Sequence, residues 1–431
     1  MQEIEAYIKW LKENGAVFNS IDWPHEFPNT GRGAIATKNI QPNEPFLTIP
    51  SNLIIDPPLC RRAPDVGDFL SSHKIFVDND EYTLSFYLCH EKLKGRYSFW
   101  KPYIDSLPKD TGSLYSCWES SELTELQDEF LIQEVKVNAP SQRRMIFETI
   151  YGILEKIQAP FKLVTNEGSL TFSLFCWALE TVLCRSFGRR LKYISMVPLA
   201  DNLNHNNVQT KYSYDGDKFL LFPSGKNVVL IDHEAFNSYG RRSNQNLLLG
   251  YGFALEDNEW DEVPLDLELP SSIPLFEKKK AFFVPNELVF IRFTKNKVPN
   301  RLLKFFRIVT ATSSELDSLK GTYLQVEFLN FRNERATINC CYEELVTMIR
   351  SFPTTEQEDE DLLKRENIPS KRIFAVRYRL GRKKCLSFSL SFLSKVKLFI
   401  NSIISGTKND DDITRVEYLE MCKNYLDSDG E

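Results

Sequence analysis

The stretch that decides the fold runs from residue 196 to residue 253. It opens with MVPLADNLNH at 196–205, continues to FNSYG at 236–240 and closes with LGYGF at 249–253. The first motif places an asparagine and a histidine directly after an apolar run. Strands that end near one another can gather such polar groups into one place. The two ends of this stretch are therefore predicted to be parts of one functional site.

Short strand signals connect these two ends. Residues 212–214 precede Asp215-Gly216, a pair that favours a tight hairpin turn because both residues can adopt a positive φ. Residues 219–222 are the predicted return strand, and the apolar run at 228–231 is typical of a further strand. We expect these strands to bring the Asn-His pair close to the tyrosine, although more than thirty residues separate them.

A glycine motif lies far upstream, NTGRGAIA at 29–36. Its Gly-x-Gly-x-x-Ala spacing matches the weak form of a dinucleotide fingerprint, but that fingerprint needs a helix directly after it. Two prolines follow within ten residues and exclude this helix. We predict instead a glycine turn feeding a hairpin, with strands at 33–37 and 46–49 around a turn at 41–44. Glycines at this place let the backbone approach a ligand closely.

Together these motifs resemble a SET domain, the fold of one large class of protein methyltransferases. The continuation SNQNLLLGYGF at 243–253 is similar to the Rubisco large-subunit methyltransferase (LSMT) type, which carries a helical C-terminal substrate-binding domain. The resemblance implies an α+β fold. Its SET domain would span residues 1–255, with small β-sheets, a knotted C-terminal segment and a helical insertion at about 60–195. A mostly α-helical domain would follow at 270–431.

The same resemblance implies S-adenosyl-L-methionine as the cofactor and Tyr239 as the catalytic residue. Arg185 resembles an arginine near the cofactor carboxylate, although a cation at a helix C-terminus is also favoured by the helix dipole. Tyr251 and Phe253 would line the channel, where aromatic faces suit a cationic nitrogen. The cofactor-binding residues implied in this way are Thr30, Gly31, Arg32, Gly33, Arg185, Asp201, Asn204, His205, Tyr251, Gly252 and Phe253.

The expected reaction is methylation of a protein, with lysine as the predicted target. In a relative of this branch that modifies histidine an asparagine follows the arginine in question, whereas this chain has Ser186 there. A lysine would have to lose its proton first, because its ordinary pKa is about 10.4. A narrow, desolvated channel favours the neutral amine. The alternatives are a protein-histidine methyltransferase and a SET-fold module that binds a partner without turnover.

Composition limits the other functions that the chain can have. With 431 residues and a net charge of −6, the chain lacks the basic balance of a general nucleic-acid binder. Its nine cysteines include no Cys-x-x-Cys, which predicts free buried thiols in a reducing compartment. We expect a monomer in the cytoplasm, the nucleus or both, without a signal peptide, a membrane span or nucleic-acid binding. A protein substrate is expected to dock on the C-terminal helical domain.

Several catalytic motifs are missing from the sequence. No His or Cys partner stands at a metal-ligand spacing from His205, so we predict no metal. Gly225-Lys226 is not a P-loop, because Leu220 stands where the first glycine should be and Asn227 replaces the Ser or Thr. No Gly-x-Ser-x-Gly elbow occurs either. Phosphate transfer and acyl hydrolysis therefore have no support.

Helix signals occupy most of the remaining chain. An amphipathic helix is predicted at 1–15, another at 82–91, and a third at 171–184 with Thr171 as its N-cap. After an acidic linker at 256–274 and an extended segment at 281–294, helices are predicted at 301–311, 322–331, 336–351, 355–365, 372–385, 387–404 and 413–426. The basic clusters at 278–280 and 382–384 are interpreted as solvated helix faces, with nuclear signals as the alternative.

Overall fold

The computed structural model describes residues 2–28, 30–112, 114, 118–157, 164–165, 168–188, 191–285, 288–409 and 412–427. The chain divides into two compact units. The first consists of Met1–Leu123, Glu129–Arg242 and Asn246–Phe253. The second consists of Thr124–Asp128, Ser243–Gln245 and Ala254–Glu431.

Small antiparallel sheets form the β part of the first unit. A three-stranded sheet has Lys218–Pro223 between Leu47–Pro50 and Thr210–Tyr214. The two-stranded pairs are Ile21–Phe27 with Gly31–Ala36, Val164–Thr165 with Gly168–Ser169, and Ser186–Phe187 with Ser195–Met196.

The predicted hairpin between 33–37 and 46–49 is wrong in its pairing. The first of these strands pairs with Ile21–Phe27, and the second pairs with Lys218–Pro223, far along the chain. Apolar burial explains this choice, because Leu47 lies opposite Leu221 and all four residues of the Leu47/Leu221 and Ile49/Phe219 pairs are fully buried. The strands were correctly located, but their partners were not.

The predicted hairpin after residue 212 is confirmed. Thr210–Tyr214 pairs with Lys218–Pro223, and Asp215 Oδ1 accepts the backbone N–H groups of Asp217 and Lys218 at 2.9 Å each. The predicted strand at 228–231 is wrong, since only an isolated bridge between Val229 and Ile40 forms there. Leu230 is 49% exposed, so this apolar run does not pack as a strand would.

Helices contribute to the core of the first unit and form most of its insertion. Thr171 caps its helix as predicted, because its Oγ1 accepts the N–H of Leu174 at 3.1 Å. The helices of this unit are Gln2–Glu13, Pro57–Arg61, Gly67–Ser72, Lys74–Val77, Asp80–Lys94, Lys101–Ser106, Ser120–Thr124, Glu129–Gln133, Ala139–Ile157, Phe172–Arg185 and Asn244–Tyr251, with single turns at Ser51–Leu53, Gly95–Tyr97, Glu134–Asn138 and Ala200–Asn202.

The second unit is mostly helical and has its own apolar core. One antiparallel pair, Glu262–Leu267 with Val289–Thr294, lies against it. The helices are Phe276–Lys280, Asn300–Thr310, Ser313–Ser318, Phe331–Arg350, Glu356–Leu363, Ser370–Ile404 and Asp412–Tyr425, with a single turn at Tyr323–Gln325.

Three predictions for this unit are wrong. The acidic linker at 256–274 contains a strand, because its alternating Val263, Leu265 and Leu267 pack against the core. The helix predicted at 322–331 is a single turn, since Asn330 instead caps the next helix through the N–H of Asn333. The two helices predicted around residue 386 are one continuous helix, Ser370–Ile404.

The long helix Ser370–Ile404 also corrects the expectation that no segment is apolar enough to cross a membrane. By length and composition this helix qualifies, with a mean hydropathy of 1.2 over an 18-residue window. Its Leu386, Phe392 and Leu393 are buried in the core of the second unit. Length and composition alone do not distinguish such a core helix from a membrane span.

The basic clusters are not simple solvated faces. Lys279 and Lys383 are each buried at the centre of their cluster. Lys279 Nζ donates to the Val309 carbonyl at 2.6 Å, and Lys383 Nζ pairs with Asp359 Oδ2 at 2.6 Å. The interpretation as solvated helix faces is therefore wrong at both central lysines, because each has a specific partner inside the fold.

The cysteines follow the prediction of free thiols where the structure describes them. Eight of the nine are free, and five of these are buried. Cys117 lies outside the described residues.

Candidate active site

The side-chain amide of Asn204 joins the glycine motif to the centre of the first unit. Its Nδ2 lies 2.7 Å from Glu234 Oε1, 3.1 Å from the Arg32 carbonyl oxygen and 3.3 Å from that of Thr30. The Thr30 hydroxyl donates to the other carboxylate oxygen of Glu234 at 2.6 Å. Two segments more than 170 residues apart are thus held together by one amide and one carboxylate.

Glycine is required at position 33 because of this close approach. A Cβ at Gly33 would lie 2.4 Å from Glu234 Oε1 and 2.9 Å from Asn204 Nδ2. Gly31 has a different reason, a φ of +72°, which side-chain-bearing residues rarely adopt. The sequence predicted that the backbone of this glycine motif approaches a ligand. The structure adds that Gly33 packs tightly against the side chains of Glu234 and Asn204.

His205 holds the backbone of Tyr239. The Tyr239 N–H donates to His205 Nδ1 at 3.1 Å, and the two rings stack with centroids 4.9 Å apart. The same Nδ1 also lies 3.3 Å from the Asn237 carbonyl oxygen. Burial lowers the pKa of His205 to about 4, so the ring is neutral at neutral pH. His205 therefore acts as a positioning residue for the tyrosine.

Tyr239 directs its hydroxyl towards the backbone beside Asn204. The hydroxyl donates to the Leu203 carbonyl oxygen at 2.8 Å, and the ring lies 4.7 Å from that of Tyr251. Burial raises the pKa of Tyr239 well above its usual value, so the phenol stays protonated. With its proton committed to Leu203, the hydroxyl oxygen retains lone pairs that can accept weak C–H···O contacts.

A buried charged group completes the site. Arg185 Nη1 donates to the Asp201 carbonyl oxygen at 2.8 Å and lies 3.8 Å from Asp201 Oδ2, which also accepts the Tyr103 hydroxyl at 2.6 Å. Burial raises the pKa of Asp201 to about 6, although Arg185 and Tyr103 favour its ionised form. Arg185 reaches this position because it ends the helix that Thr171 caps.

Two cavities share part of their lining around Arg185, Asp201 and Tyr239. The larger, of about 650 Å³, is also lined by Trp23, Arg32, Asn204 and Phe253. The smaller, of about 290 Å³, is also lined by Phe187, Tyr212, Asn237, Arg241 and Arg242. The residues that line both are Cys184, Arg185, Asp201, Tyr239 and Tyr251. Tyr239 thus lies where the two cavities share their lining.

The predicted site residues separate into two groups. Arg32, Arg185, Asp201, Asn204, Tyr239, Tyr251 and Phe253 line the larger cavity. The other predicted residues do not line either cavity within the described part of the chain; they are Thr30, Gly31, Gly33, His205 and Gly252. Gly252 has a packing reason, since a Cβ there would lie 1.8 Å from the Gly112 carbonyl oxygen. The role of each residue as a cofactor contact stays a prediction.

Sequence reasoning missed several residues of this site. Tyr103 is not among the predicted site residues, yet its hydroxyl contacts Asp201. Glu234 is not among them either, yet it contacts Asn204 and Thr30. Its position five residues before Tyr239 was the available signal. Within the described ranges, no group of three or more His, Cys, Asp and Glu side chains is placed to hold a metal ion.

Comparison with known proteins shows what this chain is similar to. A family model of the Rubisco LSMT substrate-binding domain matches residues 270–386. The structure of Rubisco LSMT bound to sinefungin and monomethyllysine superposes with a TM-score of 0.76, at 22% identity, over 100% of this chain and 98% of that one. The SET domain of LSMT bound to lysine and AdoHcy gives 0.73, at 22% identity, over 97% and 99%.

Two curated relatives are actin-histidine N-methyltransferases. That of Dasypus novemcinctus is 27% identical over 408 residues, which is 88% of this chain and 67% of the relative. That of Homo sapiens is 26% identical, covering 88% and 66%. This chain thus spans about two thirds of their length.

The protein has the predicted α+β fold, a SET domain followed by a helical substrate-binding domain. Its fold is that of the Rubisco LSMT type of SET-domain methyltransferases, as the resemblance of its motifs implied.

The prediction of a lysine target is wrong, because the curated relatives are named as histidine methyltransferases. That prediction relied on Ser186 alone. Ser186 is one of the fourteen described residues that line the smaller cavity, so a single position beside Arg185 is a weak basis for predicting the target.

The site has the features that S-adenosylmethionine requires. Four buried polar atoms around Tyr239 have no hydrogen-bond partner among the described residues, namely Arg185 Nε, Ser186 Oγ, Asp201 Oδ1 and His205 Nε2. Such clustering is typical of a site that a ligand completes. The larger cavity also carries charges of both signs, which suits a ligand with ammonium, sulfonium and carboxylate groups.

Proposed function

We propose that the protein is an S-adenosylmethionine-dependent protein-histidine N-methyltransferase. The observation that carries the proposal is the position of Tyr239, which lines both cavities and has its hydroxyl fixed by Leu203. The histidine target is supported by the names of the curated relatives and by the charges of the smaller cavity.

The larger cavity is where the cofactor would bind. Arg185 supplies the positive charge for its carboxylate, and the backbone of Arg32 beside Asn204 supplies polar contacts. When bound, S-adenosylmethionine supplies a methyl group for in-line displacement. The chain's own contribution is to align the acceptor and exclude water, and alignment of this kind supplies several kcal/mol. The Tyr239 hydroxyl oxygen, whose proton is donated to Leu203, would contact the polarised methyl group.

The smaller cavity favours an acceptor that is neutral before the reaction. Its described lining has three arginines, Arg185, Arg241 and Arg242, and one carboxylate, Asp201. An imidazole with a pKa of about 6.5 is mostly neutral at pH 7 and enters this positive surrounding at low cost. One of its nitrogens then has a free lone pair, so the chain does not need a general base before methyl transfer.

The test combines binding and transfer on the full chain. Calorimetry should show S-adenosylmethionine binding to the wild type, and mass spectrometry should locate the added methyl group on a histidine of actin, the first substrate to try. Asn204→Ala should weaken cofactor binding, because it releases the loop at Thr30 and Arg32. Binding without transfer to any protein would contradict the enzymatic proposal, and absence of binding would contradict the assigned site as well.

The second unit is proposed to dock the protein substrate, which the family model over 270–386 supports. We propose further that the protein acts as a monomer in the cytoplasm or nucleus, without binding nucleic acid or a membrane. Its charge of −6 is consistent with the absence of nucleic-acid binding. Light scattering and localisation of a fluorescent fusion test these statements, and a membrane-bound fusion would contradict them.

A further inference from the structure

Glu234 lies on a short segment that pairs with the glycine motif. The Ala235 N–H donates to the Ala34 carbonyl oxygen at 2.8 Å, and Glu234 itself lies opposite Ile35 in an antiparallel bridge. Residues two apart on a strand share one face, so the side chain of Glu234 can reach over Gly33. The space that this glycine leaves is occupied by Glu234 Oε1, which would lie 2.4 Å from an added Cβ.

The side-chain amide of Asn204 has its orientation determined by the oxygens around it. Its Nδ2 lies 2.7 Å from Glu234 Oε1, and it also contacts the carbonyl oxygens of Arg32 and Thr30. If the amide were turned over, its Oδ1 would face the same three oxygens, and carbonyl and carboxylate oxygens have no proton to donate. Glu234 makes the shortest of these contacts and offers a carboxylate, which is a stronger acceptor than a carbonyl group. Glu234 therefore contributes most to fixing this amide.

The second carboxylate oxygen of Glu234 holds the start of the glycine motif. Its Oε2 accepts the Thr30 hydroxyl at 2.6 Å, so both oxygens of one side chain are used within this site. Asn204 lines the larger cavity, whereas Glu234 is absent from the described lining of either cavity. An effect of Glu234 on a bound ligand would therefore act through Asn204 and Thr30.

We propose that Glu234 is a positioning residue for cofactor binding, and that its carboxylate keeps Thr30 and Asn204 in the geometry that receives S-adenosylmethionine. This inference rests on the proposed function and adds a residue that acts without touching the ligand. Tyr239 is held separately, because its N–H donates to His205. Loss of the carboxylate should therefore weaken cofactor binding, while the transfer step at saturating cofactor stays nearly unchanged.

Glu234→Ala in the full chain tests this role. Calorimetry should show the Kd for S-adenosylmethionine rising about 10-fold, the size expected when a hydrogen-bonded charged group is removed. At saturating cofactor, the rate of labelled methyl transfer to lysate proteins should stay within about twofold of the wild type. Glu148→Ala is the matched control, because Glu148 is an exposed glutamate of the helix Ala139–Ile157 in the same unit, and it should leave both values unchanged.

Glu234→Gln distinguishes positioning from general stability. A glutamine keeps an oxygen that accepts from Asn204 Nδ2 and an amide that can donate to the Thr30 hydroxyl, so it should restore most of the lost affinity. Thr30→Val gives a second comparison, because it removes the hydroxyl that Glu234 holds. It should weaken cofactor binding in the wild type but have almost no further effect beside Glu234→Ala, where this contact is already absent.

An unchanged Kd in Glu234→Ala, with methyl groups still transferred, would overturn this inference and leave the proposed function intact. A transfer rate at saturating cofactor that falls as much as the affinity would show a general loss of structure and overturn it as well. If urea unfolding shows that Glu234→Ala does not fold, Thr30→Val decides, since an unchanged Kd there overturns the inference and a raised Kd supports it. Absence of cofactor binding by the wild type would instead contradict the proposed function, and the inference would fall with it.

Discussion

Single residues of the site hold distant segments together rather than act alone. Asn204 contacts the backbone of Thr30 and Arg32, and the neighbouring His205 accepts the N–H of Tyr239. Three motifs that are separate in the sequence are thus joined by hydrogen bonds of one Asn-His pair. The sequence pattern predicted that these motifs meet, and the resemblance to the SET family named their roles.

The first residue to test is Tyr239. Tyr239→Phe removes the hydroxyl that is fixed by Leu203 but keeps the ring that stacks on His205. We expect kcat to fall roughly 100-fold while the affinity for S-adenosylmethionine changes little, because the lost contact acts mainly in the transition state. Single-turnover kinetics and calorimetry measure the two effects, and an unchanged kcat would remove Tyr239 from the catalytic role.

Gly33→Ala tests the packing of the glycine motif. The new Cβ would displace Glu234 or Asn204, so we expect the affinity for S-adenosylmethionine to fall by about 10-fold or more. Gly152→Ala is the matched control, because no atom lies within 4 Å of its added Cβ. Calorimetry compares the two variants, and equal affinities would show that this packing does not shape the cofactor site.

Asp201 should make stability depend on pH. Its pKa is about 6 in the folded protein, where burial raises it, against about 3.8 in the unfolded chain, so the folded state binds more protons between these values. The contribution of this carboxyl to stability therefore falls as pH rises through this range, by about 3 kcal/mol in total.

Urea unfolding of the wild type and of Asp201→Asn, from about pH 4.5 to about pH 7, measures this effect. As pH rises, the free energy of unfolding of the wild type should fall steadily relative to that of Asp201→Asn. The contribution of His205 cancels, since both proteins contain it. A difference that does not change with pH would show that Asp201 titrates at its usual pKa.

At the scale of elements, the helix Phe172–Arg185 sets the position of the cation. Thr171→Ala removes the cap on its first turn and should lower the free energy of unfolding by about 1 kcal/mol. Thr149→Ala is the matched control, because Thr149 is exposed within a helix and its hydroxyl bonds only to its own helix at Met145. Equal losses in the two variants would mean that the cap does not stabilise this helix.

The sequence predicted a helix or turn correctly where a capping residue or a turn residue within that element determines it. The cap at Thr171 and the turn at Asp215 are examples, since all the relevant contacts lie within a few residues. Strand partners were not predictable in this way. Leu47–Pro50 pairs with a strand about 170 residues later, and the strand Glu262–Leu267 lay within a segment with linker composition. Burial of apolar pairs, which a single sequence does not display, decides such pairing.

At the scale of the whole molecule, each unit has its own core and the second also has a buried ionic cluster. Asp359 accepts from Arg379 at 2.7 and 2.9 Å and from Lys383 at 2.6 Å, and all three side chains are buried. Asp359→Ala leaves two buried cations without this carboxylate and should cost about 3–5 kcal/mol. Hydrogen exchange should show the loss in the helix Ser370–Ile404.

Asp361→Ala is the matched control for this prediction. It removes a carboxylate from the same helix, but its pair with Lys364 is exposed to solvent and should contribute little to stability. Equal rates of hydrogen exchange in the helix Ser370–Ile404 of the two variants would show that the buried ionic cluster does not stabilise this helix. Because the proposed cofactor site lies in the first unit, we expect S-adenosylmethionine binding to persist in both variants.

The function of the whole molecule was predictable as a class but not in its target. The reaction follows from motifs that bring a tyrosine, an asparagine and an arginine together. The cavity proposed to hold the target has lining residues, such as Phe187, Tyr212 and Arg242, that come from three separate segments. Ser186 was one member of this wall, and its identity alone led to the wrong amino acid.

The central claim is that Tyr239 and the surrounding cavities transfer a methyl group to a histidine of a protein. The most direct measurement treats a cell lysate with the full chain and S-adenosylmethionine carrying an isotopically labelled methyl group, followed by peptide mass spectrometry. We expect the labelled methyl group on histidine with the wild type, and almost no label with Tyr239→Phe. Label on another amino acid, or equal label with both proteins, would contradict it.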